Sequence, residues 1–264
     1  MQRVMLTKGV ILSQPSVPKL NPVIALLCLS IFIIFPPASF PNNTEEAFQQ
    51  NAYMDKPTIS VSDSLGGNYI IYTNNADIHT PESLLVYVDK RKQVNTLISL
   101  KSPHHIKCIA LSNDQKTLYI GGDFNEILNQ TRKNAAAINT ATHKLSQWNP
   151  APDGSVYTIV TKGNNTLFTG GAFHKIYGKE ASFIAIADLG SGSLIPLSLF
   201  PNGKIESITL SKNGYVIYIA GKFTEISGHD RINYAGINLA TKKLTDWNPC
   251  STNWLKSQCI SATQ

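Results

Sequence analysis

Residues 118–127 read LYIGGDFNEI, and the chain returns to this phrase twice, as LFTGGAFHKI at 167–176 and IYIAGKFTEI at 217–226. The intervals are 49 and 50 residues. Each copy carries two small residues (Gly121-Gly122, Gly170-Gly171, Ala220-Gly221), one variable residue, an aromatic (Phe124, Phe173, Phe223) and an isoleucine three positions on (Ile127, Ile176, Ile226). Self-similarity at this period means stacked supersecondary units, because about fifty residues cannot bury their own apolar face and must lean on a neighbour.

Working outward, the second copy of the unit parses into short runs of β-forming or small residues at 106–111, 117–121, 135–139 and 145–148, each bounded by turn formers. Four strands per repeat is the composition of a propeller blade, so the expected fold is all-β: a β-propeller of four-stranded antiparallel blades. The blades fall at about 57–103, 104–152, 153–202 and 203–250, with one strand of a fifth at 251–264. Blade four copies blade two without a gap, since Ile106, Leu118 and Trp148 return as Ile205, Ile217 and Trp247. Blade three has a one-residue deletion near Gly163-Asn164-Asn165 and puts Leu197 in place of the tryptophan. Blade one is degenerate: Ile59, Ile71, Ile78 and Val88 align with Ile109, Ile120, Ile127 and Ile138, and Tyr72-Thr73 fall where the glycine pair belongs. Four blades is the lower limit for closed propellers, so either a small ring or an open arc with apolar terminal faces follows.

The landmarks have physical roles. A glycine pair ending the second strand marks close approach of backbone or of the neighbouring blade, and the phenylalanine after it plugs the interblade space. Asn139 to Thr142, with Asp188 to Ser191 and Asn238 to Thr241, reads as an Asx-started turn, in which Gly192 is the permissive residue where the other blades carry His143 and Lys242. Trp148-Asn149-Pro150 and Trp247-Asn248-Pro249 finish the outer strand with a large apolar anchor, after which proline stops ladder pairing.

The chain has 264 residues and a formal charge of +6, but three basic residues and no acid lie in the first forty; the remainder holds twenty basic against seventeen acidic residues, +3. The nearest basic cluster, Lys90-Arg91-Lys92, falls at an expected hairpin turn, and no nucleic-acid partner is expected. Residues 23–35, VIALLCLSIFIIF, form an uncharged apolar run of 13 behind three basic residues. That is short of the roughly 20 needed to span a bilayer, and 1–40 reads as a secretory signal peptide or an N-terminal anchor, with 41–56 a polar linker. The expected location is secreted, periplasmic or cell envelope, with membrane contact only through 23–35 if uncleaved. An exported chain allows a disulfide between Cys250 and Cys259, nine residues apart. Cys108 reads as a small buried apolar residue.

The combination LYIGGDFNEI…NAAAINTATHKLSQWNP resembles the bacterial β-propeller repeat called the delta-60 repeat, over about 57–264. This family of unknown function occurs in exported and cell-surface proteins. The resemblance implies a propeller and an extracytoplasmic setting, and it implies no catalytic residues.

Catalysis or metal binding in a propeller needs polar groups converging on the axis from equivalent places in several blades. The six histidines, His79, His104, His105, His143, His174 and His229, fall at different phases of the repeat and form no zinc pattern. No nucleophile elbow, HExxH, phosphate loop or dinucleotide fingerprint occurs. Ala137, Asn139, Thr142 and Trp148 approach the docking motif of propeller quinoproteins, but His143 replaces its glycine and the tryptophan comes one residue late. No catalytic residue, metal or cofactor is therefore expected. The expectation is an exported, non-enzymatic scaffold binding a protein or glycan at its loop face or rim. Two alternatives stand beside it: a truncated or decaying propeller fragment, and a fragment of a propeller hydrolase, lyase or quinoprotein.

Overall fold

The computed structural model describes residues 57–74 and 82–250. The expected leader, linker and extra strand, with Cys28, Ile78, His79 and Cys259, lie outside them. Every regular element among the described residues is a β-strand, and all pairing is antiparallel. Sheet one is formed by Pro57–Ser62, Asn68–Asn74, Glu82–Val88 and Val94–Lys101, and sheet two by His105–Leu111, Thr117–Asp123 and Ala135–Asn139. Sheet three comprises Val156–Lys162, Thr166–Gly171, Ile184–Asp188 and Ser193–Leu194, and sheet four Ile205–Leu210, Val216–Gly221, Tyr234–Asn238 and Lys243–Leu244. Strand order in space follows the chain, as it does in an antiparallel meander.

The first strand of each sheet packs on the first strand of the next, from sheet one through sheet four. The first strands are thus the inner ones. Between the sheets lie three apolar seams. Tyr69, Ile71 and Leu85 meet Ile109, Leu118 and Ile120 between sheets one and two; Tyr119 and Ala137 meet Val156, Ile159 and Leu167 at the next; Phe168 and Ile186 meet Ile208, Ile217 and Ile219 at the third. Alternation along each strand feeds one seam with odd positions and the other with even ones, so these strands are apolar on both faces. The outward face of sheet one, with Ile70, Tyr72, Val86 and Val88, is buried as well, and so are Ala220 and Tyr234 on the outward side of sheet four.

Each phenylalanine landmark sits in the seam its own sheet makes with the preceding one: Phe124, Phe173 and Phe223 are all at most 1% exposed. The Asx turns are present. Asn139 Oδ1 accepts from the Ala141 and Thr142 amides, Asp188 Oδ1 from Ser191, and Asn238 Oδ1 from Ala240 and Thr241. His143, Gly192 and Lys242 share left-handed backbone at φ 54°, 66° and 55°. Lys90-Arg91-Lys92 is the expected hairpin turn, closed on Asp89 Oδ1.

Four readings need correction. The strand at 145–148 and its equivalents in sheets three and four are shorter than expected: sheet two keeps only a Leu145–Ile138 bridge, and Trp148 leaves the ladder with its amide on Ser146 Oγ. The tryptophans are anchors only half-buried, docked edge-on against Tyr119 and Tyr218 at 5.1 and 5.0 Å. Sheets two to four also carry an unanticipated two-stranded hairpin between their second and third strands, at Glu126–Ile127 with Gln130–Thr131, Lys175–Ile176 with Lys179–Glu180, and Glu225–Ile226 with His229–Asp230. Its two-residue turns, Leu128-Asn129, Tyr177-Gly178 and Ser227-Gly228, all have positive φ, as a type I′ turn demands.

The first two strands of sheet one, finally, are aligned one residue off, while Val88, opposite Asn68 as Ile138 is opposite Leu118, keeps its expected place. Ile59 pairs with Ile71 as Cys108 pairs with Gly121, so Ile71 holds the place of Gly121 and Tyr72 that of Gly122. Ile71 and Ile120, like Ile59 and Ile109, meet across one seam and do not hold equivalent positions. A one-residue slip inverts the face of every side chain, which pattern matching on isoleucine alone does not register.

Cys108 is buried, as expected, between sheets two and three. Burial pushes its thiol up to about 12, against smaller lowering by backbone hydrogen bonds and Lys107. The fold therefore holds the neutral thiol. In the unfolded chain the thiol ionises from about pH 9, so the stability it contributes is full below that and is lost as pH rises toward 12. Tyr72 and Tyr177, also pushed up to about 12 by burial, add loss of the same sign above pH 10. Urea midpoints should fall steeply between pH 9 and 12, and Cys108→Ala should flatten the onset near pH 9; parallel curves for the two proteins would exclude the thiol.

Candidate functional site at the inner-strand bulges

The inner strands carry apolar residues at an odd spacing. Ile106 and Ile109, Val156 and Ile159, and Ile205 and Ile208 are three residues apart, yet each pair faces a single seam. A regular strand would turn them to opposite faces. One extra residue resolves the conflict, and the pairing shows it: Ile106 is opposite Gly122 while Cys108 is opposite Gly121, Val156 opposite Gly171 while Thr158 is opposite Gly170, and Ile205 opposite Gly221 while Ser207 is opposite Ala220. Sheet one does the same between Pro57 and Ile59. Each inner strand thus has a bulge at the same place, and the bulged residues are Thr58, Lys107, Tyr157 and Glu206.

In sheets two to four the small-residue pair accommodates this bulge, whereas sheet one carries its bulge with Ile71 and Tyr72 in those places. A Cβ on Gly122, Gly171 or Gly221 would collide with the carbonyl oxygen of His105, Ser155 or Lys204, two residues before the bulged one. A Cβ on Gly121 would lie 2.5 Å from Val156 Cγ1 of the next sheet, and one on Gly170 2.8 Å from Ile205 Cγ2. With the backbone of sheets two to four, the second glycine therefore leaves room for the bulge and the first position for the neighbouring sheet.

Bulges re-aim side chains, and these bring three sheets' polar groups together. Tyr157 of sheet three has the Lys107 ammonium of sheet two 4.7 Å from its ring centroid and the Lys204 ammonium 5.1 Å away. Lys204 Nζ is 2.9 Å from Glu206 Oε1, and Lys107 Nζ is 3.8 Å from Asp123 Oδ2. The hydrogen bond to Glu206 holds the Lys204 ammonium above its usual pKa despite partial desolvation. Side-chain exposures of 30% for Lys107 and Glu206, 35% for Lys204 and 53% for Asp123 leave every charge in reach of solvent. Two cations and two carboxylates around one half-buried ring supply donors, acceptors and an aromatic surface, the groups that recognise a polar ligand or a protein surface. In sheet one, Thr58 Oγ1 instead donates to the carbonyl of Ile71 at 3.0 Å.

The histidines do not join this cluster as a metal set. His143 lies against Tyr69 and Tyr87, His174 meets Phe183 edge-on, and His229 contacts the Ser227 carbonyl with Nδ1. Among the described residues no group of three or more His, Cys, Asp or Glu is placed to hold a metal ion. Cys250 is 3% exposed and disulfide-bonded, while Cys259 lies outside the described residues. Gly121, Gly122, Gly170, Gly171 and Gly221 shape the site without supplying chemistry.

Sequence reasoning sought convergence among histidines and passed over Lys107, Tyr157 and Glu206. Their signal was the spacing of three between apolar residues in each inner strand, which marks a bulge and places one residue from each repeat at the same phase.

No protein-family model matches the chain, and no curated protein matches it. Among solved structures, "Structure of U3-55K" is similar over 74% of this chain and 54% of its own, at 12% identity and a TM-score of 0.45. "Crystal Structure of Mitotic Checkpoint Complex" is similar over 71% of this chain and 64% of its own, at 10% identity and a TM-score of 0.45. The chain thus spans less than two thirds of the length of either. Likeness at this level adds nothing to the account of the site, which rests on the strand pairing and side-chain geometry above.

Proposed function

We propose that the four sheets are the blades of an exported propeller of the delta-60 type, and that the protein is a non-enzymatic scaffold binding a protein or glycan at the face where the inner strands begin. The observation that carries the reading is the repeated bulge, which sets Lys107, Tyr157 and Glu206 at one phase of three successive blades with Lys204 and Asp123 beside them. A bulge conserved through internal repeats keeps a costly local disruption of the ladder, and its return is the directed side chain. The partner is recognised by an aromatic surface with charges of both signs at its rim, which suits a hydroxylated or mixed-charge surface more than a uniformly acidic or basic one.

The test uses the purified chain as bait against an envelope fraction and a glycan array, with Tyr157→Ala and the Lys107→Gln/Lys204→Gln double variant alongside. Wild-type protein should retain species that both variants lose by about tenfold or more, the loss of roughly 1.4 kcal/mol. Identical binding profiles for the three proteins would overturn the reading.

A further inference from the structure

The apolar packing between sheets three and four leaves an opening, and comparison of equivalent places shows which residues leave it. In sheet one the cross-strand partners Tyr69 and Tyr87 stack at 4.7 Å, and His143, from the outer turn of sheet two, covers Tyr87 at 5.3 Å. In sheet three the same cross-strand places hold Phe168 and Ile186, and the turn position of the following sheet is Lys242. Sheets two and four each set a tryptophan against the tyrosine of the second strand, whereas sheet three offers Leu197 and Phe168. Replacing aromatic rings by smaller side chains leaves a space that the surrounding β-framework does not collapse to fill.

That space is a cavity of ≈ 140 Å³. Phe168, Ile186, Ile195, Leu197, Ile237 and Leu239 form its apolar walls. Lys162 and Lys242 also line it, and no carboxylate does. The ion pairs among the described residues, Lys107–Asp123, Lys175–Glu180 and Lys204–Glu206, include neither lysine. An apolar cavity of about 150 Å³ holds one benzene ring, and two lysine ammonium groups at its edge can pair with a carboxylate.

We infer that this cavity is a binding site for a small carboxylate carrying one apolar ring or a short acyl chain, with the apolar part between sheets three and four and the carboxylate on Lys162 and Lys242. The site is separate from the bulge cluster.

Benzoate and its neutral analogue benzyl alcohol are the probes, titrated by calorimetry and by saturation-transfer NMR on the full chain. Benzoate should bind at least about tenfold more tightly than benzyl alcohol. Leu197→Trp, which restores the residue the repeat carries elsewhere, should abolish binding while thermal melting confirms the fold. Lys162→Gln/Lys242→Gln should erase the preference for benzoate without displacing the ring. Tyr157→Ala should leave benzoate affinity unchanged, which separates this site from the proposed scaffold function. Absence of benzoate binding at millimolar concentration, unchanged affinity in folded Leu197→Trp, or a preference surviving loss of both lysines would each overturn the inference. Should Leu197→Trp fail to fold, the lysine variant decides alone.

Discussion

Phe173→Ala is expected to destabilise the protein by about 3–5 kcal/mol, read as a lowered urea midpoint at unchanged slope. The ring is 0% exposed and packs in the seam with Val156, Ile176 and Ala181, where its removal leaves a cavity between two sheets. Relaxation is restricted because the backbone around it is tied: the Phe173 carbonyl accepts the Phe183 amide at 2.9 Å. The same bond recurs from Asn134 to Phe124 and from Asn233 to Phe223, at 2.8 and 2.9 Å. Phe124→Ala and Phe223→Ala should therefore cost similar amounts. A loss below about 1 kcal/mol at any of the three would contradict equivalent environments and with them the repeat.

Gly171→Ala should cost about 3 kcal/mol or more despite adding a single methyl group. The new Cβ runs into the Ser155 carbonyl, and that oxygen cannot retreat without giving up the Ala172 amide, which it accepts at 2.8 Å. Relief requires flattening the bulge, so Tyr157 is turned away from Lys107 and Lys204. The binding proposed for this cluster should fall along with stability. Gly163→Ala is the control: nothing lies within 4 Å of its added Cβ, and only its φ of 58° opposes the change, about 1–2 kcal/mol with binding intact. Equal losses for the two variants, measured by denaturation, would mean that the glycine pair is not there for the bulge.

Much of the fold was legible because the residues that mark it answer to local rules. A tight turn needs Asn139, Asp188 or Asn238 at its start, a second strand that meets a neighbour closely needs glycine or alanine, and a seam needs phenylalanine at a constant distance from both. The small hairpins were less visible, since two paired residues on each side are too few for alternation to show, although Tyr177-Gly178 and Ser227-Gly228 are turn-forming pairs. Sheet one misled for a different reason: Ile70 and Ile71 are adjacent and face opposite ways, so matching Ile71 to Ile120 was as good by composition as matching Ile70 to it, and only the hydrogen-bonded register separates the two.

The candidate site divides along the same line. Lys107, Tyr157 and Glu206 share neither charge nor size, so no side-chain similarity links them along the chain, and each alone resembles an ordinary strand residue. The sequence by itself determined the repeat, the antiparallel all-β unit and the seams, because burial of apolar area and turn chemistry act on neighbours within about fifty residues. Tertiary structure alone decided that the extra residue in each inner strand is bulged toward its counterparts, and that Leu197 and Phe168 leave room where tryptophan and tyrosine close it elsewhere. Both outcomes depend on distances between separate sheets, which no spacing along one strand contains.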